Sequence, residues 1–311
     1  MKSALIVFLT IFLTAGCSKP PLYKDTRIIM GTTVEVISPY RDSAGIVFAE
    51  VQRLDKLLSR YNPESEVSLL NKKGELKVSR ETMYVLKEAK EFWSLSDGAF
   101  DVTVVPLLDI WGFTEQDYRV PSEVEIRKAL GMIGSDKIIF NEGNNVVKFK
   151  VPGPMVDLGA IAKGFAVDSA VKKLKERGIG SCLINAGGDI YCLGVKSGAP
   201  WSVAVQDPRR SGFADYLRLK DCAVATSGDY RQFFQSGKRR YSHIMNPRTG
   251  YPADSGVVSV TVIAPDCLTA DALATAIFIL GKEKGARLAE KFRGVKVMII
   301  QEEHSAGAAN R

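Results

Sequence analysis

Histidine is nearly absent from this chain: two occur in 311 residues, His243 and His304. The five cysteines form no CxxC pair, so the usual ligand sets for zinc or an iron–sulfur cluster are missing. The N-terminal apolar run, Ala4–Leu13, falls well short of the ~20 residues that a permanent bilayer span requires. Repeats and internal low-complexity linkers are also missing. Basic and aromatic residues do not interleave into an array suited to nucleic acid. The formal net charge is +7, with the basic residues scattered. Their densest cluster, Lys238-Arg239-Arg240, follows Ser236-Gly237 and reads as a solvated hairpin tip. Such a surface would attract an anionic nucleotide without identifying one.

What remains is an ordinary globular composition, 46% apolar and 25% charged, in a chain long enough for one large domain or two modest ones. The N-terminus has the layout of a secretory signal: Lys2, the apolar run, then Thr14-Ala15-Gly16-Cys17. The small residues before the cysteine resemble the lipobox of bacterial lipoproteins, with Thr14 standing where leucine is usual. On that resemblance residues 1–16 are a signal peptide and Cys17 becomes the lipidated first residue. Ser18 resembles the pattern sorted to an outer membrane. Several acyl chains would anchor firmly where one is marginal. The expected product is an exported, membrane-anchored lipoprotein facing the periplasm. Residues 17–25, with Pro20 and Pro21, read as a tether, residues 26–301 as one domain, and residues 302–311 as a frayed tail.

Within the domain, Thr26–Ile37 reads as strands interrupted by Gly31, and Asp42–Leu58 and Arg80–Ser96 carry helical apolar spacing. Ser122–Leu130 reads as a short helix, and Ile138–Phe140 with Val146–Val151 as a hairpin. Cys182–Asn185 and Ile190–Leu193 flank an Ala186-Gly187-Gly188-Asp189 turn. Further strands are expected at Trp201–Gln206, Leu217–Leu219, Ala223–Thr226 and Val257–Ile263, with a turn at Thr226–Tyr230. Leu268–Leu280 reads as a helix. The irregular alternation indicates an α+β fold, a mixed sheet with packed helices. Cys182 and Cys192, symmetric about Gly187, are expected to face each other as a disulfide or as close thiols.

Several stretches carry chemistry. Asp157–Asp168 reads DLGAIAKGFAVD. Asp157 stands where a helix N-cap belongs, and the free N–H groups of the next turn, with Lys163 behind them, suit either a plain capped helix or a phosphate. In LTADALATAIFIL, Asp271 and Thr275 are four apart on one helix face. They could hold a hard cation, or compensate the helix dipole and bond back to a carbonyl. Asp101 sits among apolar neighbours and needs a partner or a solvated cleft. Tyr61 lies in a loop, either as an ordinary aromatic or as a ring against a ligand. His243 is the one histidine outside the tail, fit for a structural bond or for taking a proton from a hydroxyl.

Seven motifs in order make a specific resemblance: Met30-Gly31-Thr32, Ala99-Phe100-Asp101, DLGAIAKGFAVD, the NAGGD of Asn185–Asp189, VATSGDY at 224–230, SHIMNPRTGYP at 242–252 and ADALATAIFILG at 270–281. Together they resemble the ApbE family of FAD:protein FMN transferases over nearly the whole mature chain. Asn246 departs from the aspartate that many members carry after the histidine. The resemblance implies a single α+β unit with a flavin cleft. It implies Mg2+-dependent cleavage of FAD, release of AMP, and attachment of FMN through a phosphoester to Thr or Ser of a target protein. Subunits of Nqr- and Rnf-type redox pumps are the implied targets. By correspondence, the metal would touch the Ala160 carbonyl, Asp271 and Thr275. Flavin contacts would come from Met30, Tyr61, Ala99, Phe100, Asp101, Asp157, Lys163 and Ile244, with His243 as the base. Rival readings are an FAD pyrophosphatase giving FMN and AMP, and a non-catalytic flavin-binding lipoprotein.

The lipobox generates the first prediction. The wild-type protein carries acyl mass on Cys17 and partitions with membranes, while Cys17→Ser leaves an unlipidated precursor. Intact mass spectrometry of the membrane fraction decides it: a soluble, unacylated wild type removes the anchor.

Overall fold

The computed structural model describes residues 21–237 and 239–302. The signal segment, Cys17, Lys238 and His304 therefore lie outside the described residues. Strand β1 (Tyr23–Ile29) pairs with β2 (Thr32–Ser38) through a two-residue turn at Met30-Gly31, where φ is 55° and 67°. Positive φ at both positions is what a tight hairpin with the strands' own twist demands. The first strand thus starts at Tyr23, three residues inside the stretch read as a tether.

Helix α1 (Ser43–Leu58) and α2 (Glu66–Lys73) follow, then β3 (Glu75–Lys77) and α3 (Arg80–Leu95). A pair of short helices, α4 (Val105–Ile110) and α5 (Glu123–Met132), precedes β4 (Ile138–Asn141) and β5 (Val146–Phe149). Next come α6 (Ala162–Glu176), β6 (Cys182–Ala186), β7 (Asp189–Leu193), β8 (Trp201–Gln206), β9 (Phe213–Leu219) and β10 (Cys222–Gly228). The chain continues through β11 (Phe233–Ser236), β12 (Arg239–Ser242), β13 (Val257–Ala264), α7 (Cys267–Leu280), α8 (Lys282–Ala289) and β14 (Lys296–Gln301).

The centre is a seven-stranded sheet in the order β1-β2-β6-β7-β10-β13-β14. The α+β class holds, and every pairing in this sheet is antiparallel, where mixed directions were expected. One face carries α1, α6 and α7 over the main apolar core. The other is covered by the β8–β9 ribbon, whose Trp201, Val203 and Leu219 meet Leu183, Cys192 and Val224. Because both faces are covered, β13 is buried nearly throughout and loses the alternation of a half-exposed strand. A small sheet in the order β3-β5-β4 lies apart from the main one.

The register settles the cysteines. Cys192 stands opposite Leu183 and Cys222, and Cys182 stands opposite Leu193. Residues one step out of register point to opposite faces of a sheet. Cys182 accordingly enters the helix-side core and Cys192 the ribbon-side core, and both thiols are free. Burial pushes each up to about 12, which leaves them unreactive. The expected pairing is thus replaced by two separately packed thiols.

Two local expectations also change. Strand β10 runs through to Gly228, displacing the turn expected at Thr226–Tyr230. Helix α6 begins at Ala162 with Ile161 in the cap position, so Asp157 is not its N-cap. Asp157 instead accepts the Gly159 N–H at 2.7 Å, closing a small turn ahead of the helix. Strands β11 and β12 form a hairpin as read, with Arg239 and Arg240 exposed at the start of β12; Lys238 lies outside the described residues.

Helices α6 and α7 meet unusually closely. A Cβ at Gly164 would come within 2.4 Å of the Cys267 carbonyl oxygen, so only glycine allows this approach. Asp168, on α6, accepts the N–H groups of Cys267 and Leu268, both at 2.8 Å, and the Asp266 side chain caps Thr269 N–H at 2.8 Å. The donors that begin α7 are therefore satisfied from two sides. No helix among the described residues is long and apolar enough to cross a membrane.

Asp168→Ala strands two N–H groups at a buried helix start. We expect it to lower unfolding stability by roughly 2–4 kcal/mol in urea titrations, with Asp168→Asn losing about half as much because an acceptor remains. An unchanged midpoint would remove the carboxylate from its place as the α6–α7 link.

Candidate functional site

A cleft of about 450 Å³ opens between the helix-side core and the loops around it. Met30 reaches it from the β1–β2 turn, Tyr61 from the loop after α1, and Ala99, Phe100 and Asp101 from the loop after α3. Asp157 and Ala160 come from the approach to α6, Lys163 from its first turn, His243 and Ile244 from the end of β12, and Asp271 and Thr275 from α7. All twelve folded residues singled out in the sequence thus line one cavity, although they span 246 positions of chain, from 30 to 275. Apolar lining from Met30, Leu108, Phe113, Ile244 and Met245 accompanies a charged group containing Lys163, Asp189, Asp271 and Arg231.

The charged group is tightly organised. Asp271 is 5% exposed, and its Oδ2 takes the Gly164 N–H at 3.3 Å and lies 3.5 Å from Lys163 Nζ. Lys163 Nζ also lies 3.1 Å from Asp189 Oδ2 and donates to the Gly159 carbonyl at 2.7 Å. Burial first, and the Asp189 charge second, push the Asp271 carboxyl up to about 7. For Lys163, burial alone would lower the pKa, but the attraction of Asp189 and Asp271 outweighs it and holds the ammonium charged. The Thr275 hydroxyl, one turn along α7 from Asp271, shares a 3.1 Å hydrogen bond with Ser227.

Carboxylate, hydroxyl and backbone carbonyl are hard oxygen donors, the set that Mg2+ accepts alongside water and phosphate oxygens. Asp189 Oδ2 is buried and, beyond its ion pair with Lys163, has no hydrogen bond among the described residues, and two carboxylates face one ammonium. The residues therefore fit a further cation. Among the described residues no cluster of three His, Cys, Asp or Glu side chains competes for that place.

His243 is half-buried, and its Nδ1 lies 3.0 Å from the Gln232 carbonyl oxygen. A carbonyl can only accept, so Nδ1 carries the proton and Nε2 presents a lone pair. Burial lowers the imidazole pKa below its ordinary value; Lys163 and Arg231 add to this, against the Gln232 hydrogen bond and the Asp157 charge. This direction favours the neutral ring, the form a base must take before it acts.

The other acids are committed. Asp101 is 8% exposed, and its Oδ1 accepts Thr103 N–H at 2.8 Å, the Thr103 hydroxyl at 2.6 Å and the Ser135 hydroxyl at 2.8 Å, while Oδ2 takes Ser135 N–H at 3.2 Å. Its carboxylate shapes the cleft wall from behind. Burial still raises its pKa despite these bonds. Asp157 pairs with Arg60, Nε to Oδ2 at 2.8 Å, and the Arg60 guanidinium lies 4.7 Å from the centre of the Tyr61 ring. Tyr61 is 70% exposed and stands at the mouth.

Among the cleft residues to which the sequence assigns no role are Arg60, Asp189, Ser227 and Arg231. Asp189 and Ser227 lie inside two of the seven motifs, where a hairpin turn and a strand end supply no chemical signal of their own. Arg60 and Arg231 read as loop arginines, which are ordinarily solvated. Arg231 donates to the Gly187 carbonyl at 2.5 Å, and a Cβ at Gly188 would sit 2.3 Å from its guanidinium. The double glycine of NAGGD thus lets an arginine lie on the turn. Asn246 Oδ1 accepts the Arg248 N–H at 3.0 Å, so asparagine serves this turn as a local acceptor.

The FAD:protein FMN transferase of Vibrio cholerae is 35% identical, over 97% of this chain and 94% of its own. A crystal structure of the ApbE protein from Thermotoga maritima superposes with a TM-score of 0.83 at 37% identity, covering 90% of this chain and 94% of that one. The flavin transferase ApbE from Vibrio cholerae superposes with a TM-score of 0.82 at 33% identity, covering 91% and 95%. The ApbE family model matches residues 30–299, from the turn that begins the cleft to the last strand of the sheet, and the chain belongs to the ApbE family.

Proposed function

We propose that this protein transfers FMN from FAD to a Thr or Ser hydroxyl of an acceptor protein, with Mg2+ and release of AMP. The observation that carries the proposal is His243, its Nδ1 engaged by the Gln232 carbonyl, in the same cleft as the Asp271–Thr275 oxygen pair and Lys163. The curated relatives of this chain bear the name FAD:protein FMN transferase.

In this reading Met30, Ala99, Phe100 and Ile244 form the apolar wall for the flavin ring, and Tyr61 stands beside it at the mouth. The Lys163 ammonium faces the phosphates. Asp271, Thr275 and the Ala160 carbonyl would hold the metal. A bound Mg2+ would neutralise phosphate charge and favour departure of AMP. His243 Nε2 takes the proton of the acceptor hydroxyl. That oxygen then bonds to the FMN phosphorus as the bond to the AMP oxygen breaks. Asp157, tied to Arg60, holds the entrance loops around the substrate.

Subunits of Nqr- and Rnf-type redox pumps are the proposed acceptors, and a Cys17 lipid anchor would bring the enzyme to the periplasmic membrane face where such pumps are reached. Because Tyr61 is 70% exposed, it does not close the cleft by itself. Hydrolysis of FAD to FMN and AMP without an acceptor is therefore the second reading. Incubation with FAD, Mg2+ and a Thr-containing acceptor peptide separates the cases by mass. FMN-bearing peptide supports transfer, FMN with unmodified peptide supports hydrolysis, and intact FAD supports binding alone.

His243→Ala should keep FAD affinity within a few-fold and lower transfer by ~10²–10⁴, the usual range for a lost general base, towards the lower end for a loose transition state. The sign of its pH dependence follows from burial. Protonation disables the base, so wild-type activity falls towards acid pH with a midpoint below the ordinary imidazole value of about 6.5, and the variant loses that limb. A matched loss of FAD affinity and rate would make His243 a nucleotide-positioning residue.

Asp271→Ala should keep the circular dichroism of the wild type and abolish Mg2+-dependent transfer. Unchanged turnover at limiting Mg2+ would remove the metal assignment.

A further inference from the structure

The Lys163 ammonium occupies an all-oxygen setting of an unusual kind. Two of its neighbours are carboxylate oxygens, Asp189 Oδ2 at 3.1 Å and Asp271 Oδ2 at 3.5 Å, and the third is the Gly159 carbonyl at 2.7 Å. Gly159 adjoins Ala160, and Asp271 is the charged member of the proposed metal set, so the ammonium already sits among the groups that would hold the metal. Asp189 is 4% exposed, and beyond this ion pair its Oδ2 has no hydrogen bond among the described residues. Two acidic side chains meet one ammonium where water is largely excluded, an arrangement that favours the arrival of a further cation.

We propose that Lys163 is a placeholder cation, which neutralises Asp271 until a divalent metal takes that carboxylate and then remains held by Asp189. Asp189 is on this view a positioning residue: it retains the ammonium in the cleft after Asp271 is lost to the metal. The inference rests on the metal reading of Asp271, Thr275 and Ala160 given above, and it explains why a buried aspartate sits at the start of β7 with a lysine as its ion partner. It also couples two ligands. A metal that releases Lys163 frees it to meet phosphate oxygens, and phosphate that draws Lys163 away exposes Asp271 to the metal.

Calorimetric titration of the metal-free full chain with Mg2+ alone, without FAD, tests the proposal. Absence of binding to the wild type overturns the metal reading itself. If the wild type binds, Lys163→Met should bind Mg2+ about tenfold or more tightly, because the competing ammonium is gone. Unchanged or weaker affinity overturns the placeholder and leaves the metal reading intact. Lys163→Gln serves in its place if the methionine variant does not fold. Asp189→Asn leaves Lys163 bound to Asp271 alone and should weaken Mg2+ about tenfold; equal affinity overturns the role of Asp189. In the wild type, Mg2+ should raise acetylation of Lys163 by acetic anhydride several-fold, read by peptide mass spectrometry. Unchanged labelling means that no displacement occurs.

Discussion

The contact between Gly164 and Cys267 is the constraint on which the site depends. With no side chain at Gly164, the start of α6 lies against the start of α7, and Asp168 secures the approach by accepting two N–H groups of α7. This placement brings Asp271, the fifth residue of α7, within reach of the Gly164 N–H and the Lys163 ammonium, from the third and second residues of α6. A carboxylate in an otherwise apolar helix is unfavourable unless something meets it. Here the opposing helix supplies both a donor and a cation, so α7 can be buried almost entirely and still present charge to the cleft.

The histidine is held from another direction. Gln232 and His243 flank the β11–β12 hairpin, and the Gln232 carbonyl meets both the His243 backbone N–H and Nδ1 at 3.0 Å. The hairpin itself is held by aromatic packing: Phe234 stacks with Tyr241 and Tyr118, and Trp111 of the segment after α4 packs against Tyr241. Trp111 Nε1 also donates to the Gly250 carbonyl at 2.9 Å, so the segment after His243 is tied to the same ring. The imidazole is thereby placed on a braced hairpin although its neighbours in sequence form loops. Such bracing fixes both the tautomer and the direction in which the free nitrogen points.

Met30 shows how backbone conformation serves the cleft. Its φ of 55° is uncommon for a residue with a side chain, and its N–H is held by the Asp55 carboxylate of α1 at 3.2 Å. The hairpin turn therefore presents the methionine side chain at the cleft lip, while Gly187 packs against Thr32 so closely that a Cβ would sit 2.3 Å from the threonine oxygen. The two hairpin turns of the sheet, at 30–31 and 187–188, meet at this edge because β2 pairs with β6.

Sequence periodicity was enough for most of the elements, since strands and helices here bury one face and their apolar residues repeat accordingly: α1, α3 and the β6–β7 hairpin lie within a residue or two of where spacing puts them. The ordered motifs were enough for the family and for twelve residues of one cleft. Periodicity carries no information about which strand lies beside which. Sheet order, antiparallel direction throughout and the register that separates Cys182 from Cys192 came only from the folded sheet, because a shift of one residue reverses a side chain's face. Asp157 looked like a helix cap because a local pattern cannot show Arg60, nearly a hundred positions away, drawing its carboxylate aside. The ion group of Lys163, Asp189 and Asp271 likewise exists only in three dimensions, since its strength comes from burial shared by two helices and a strand.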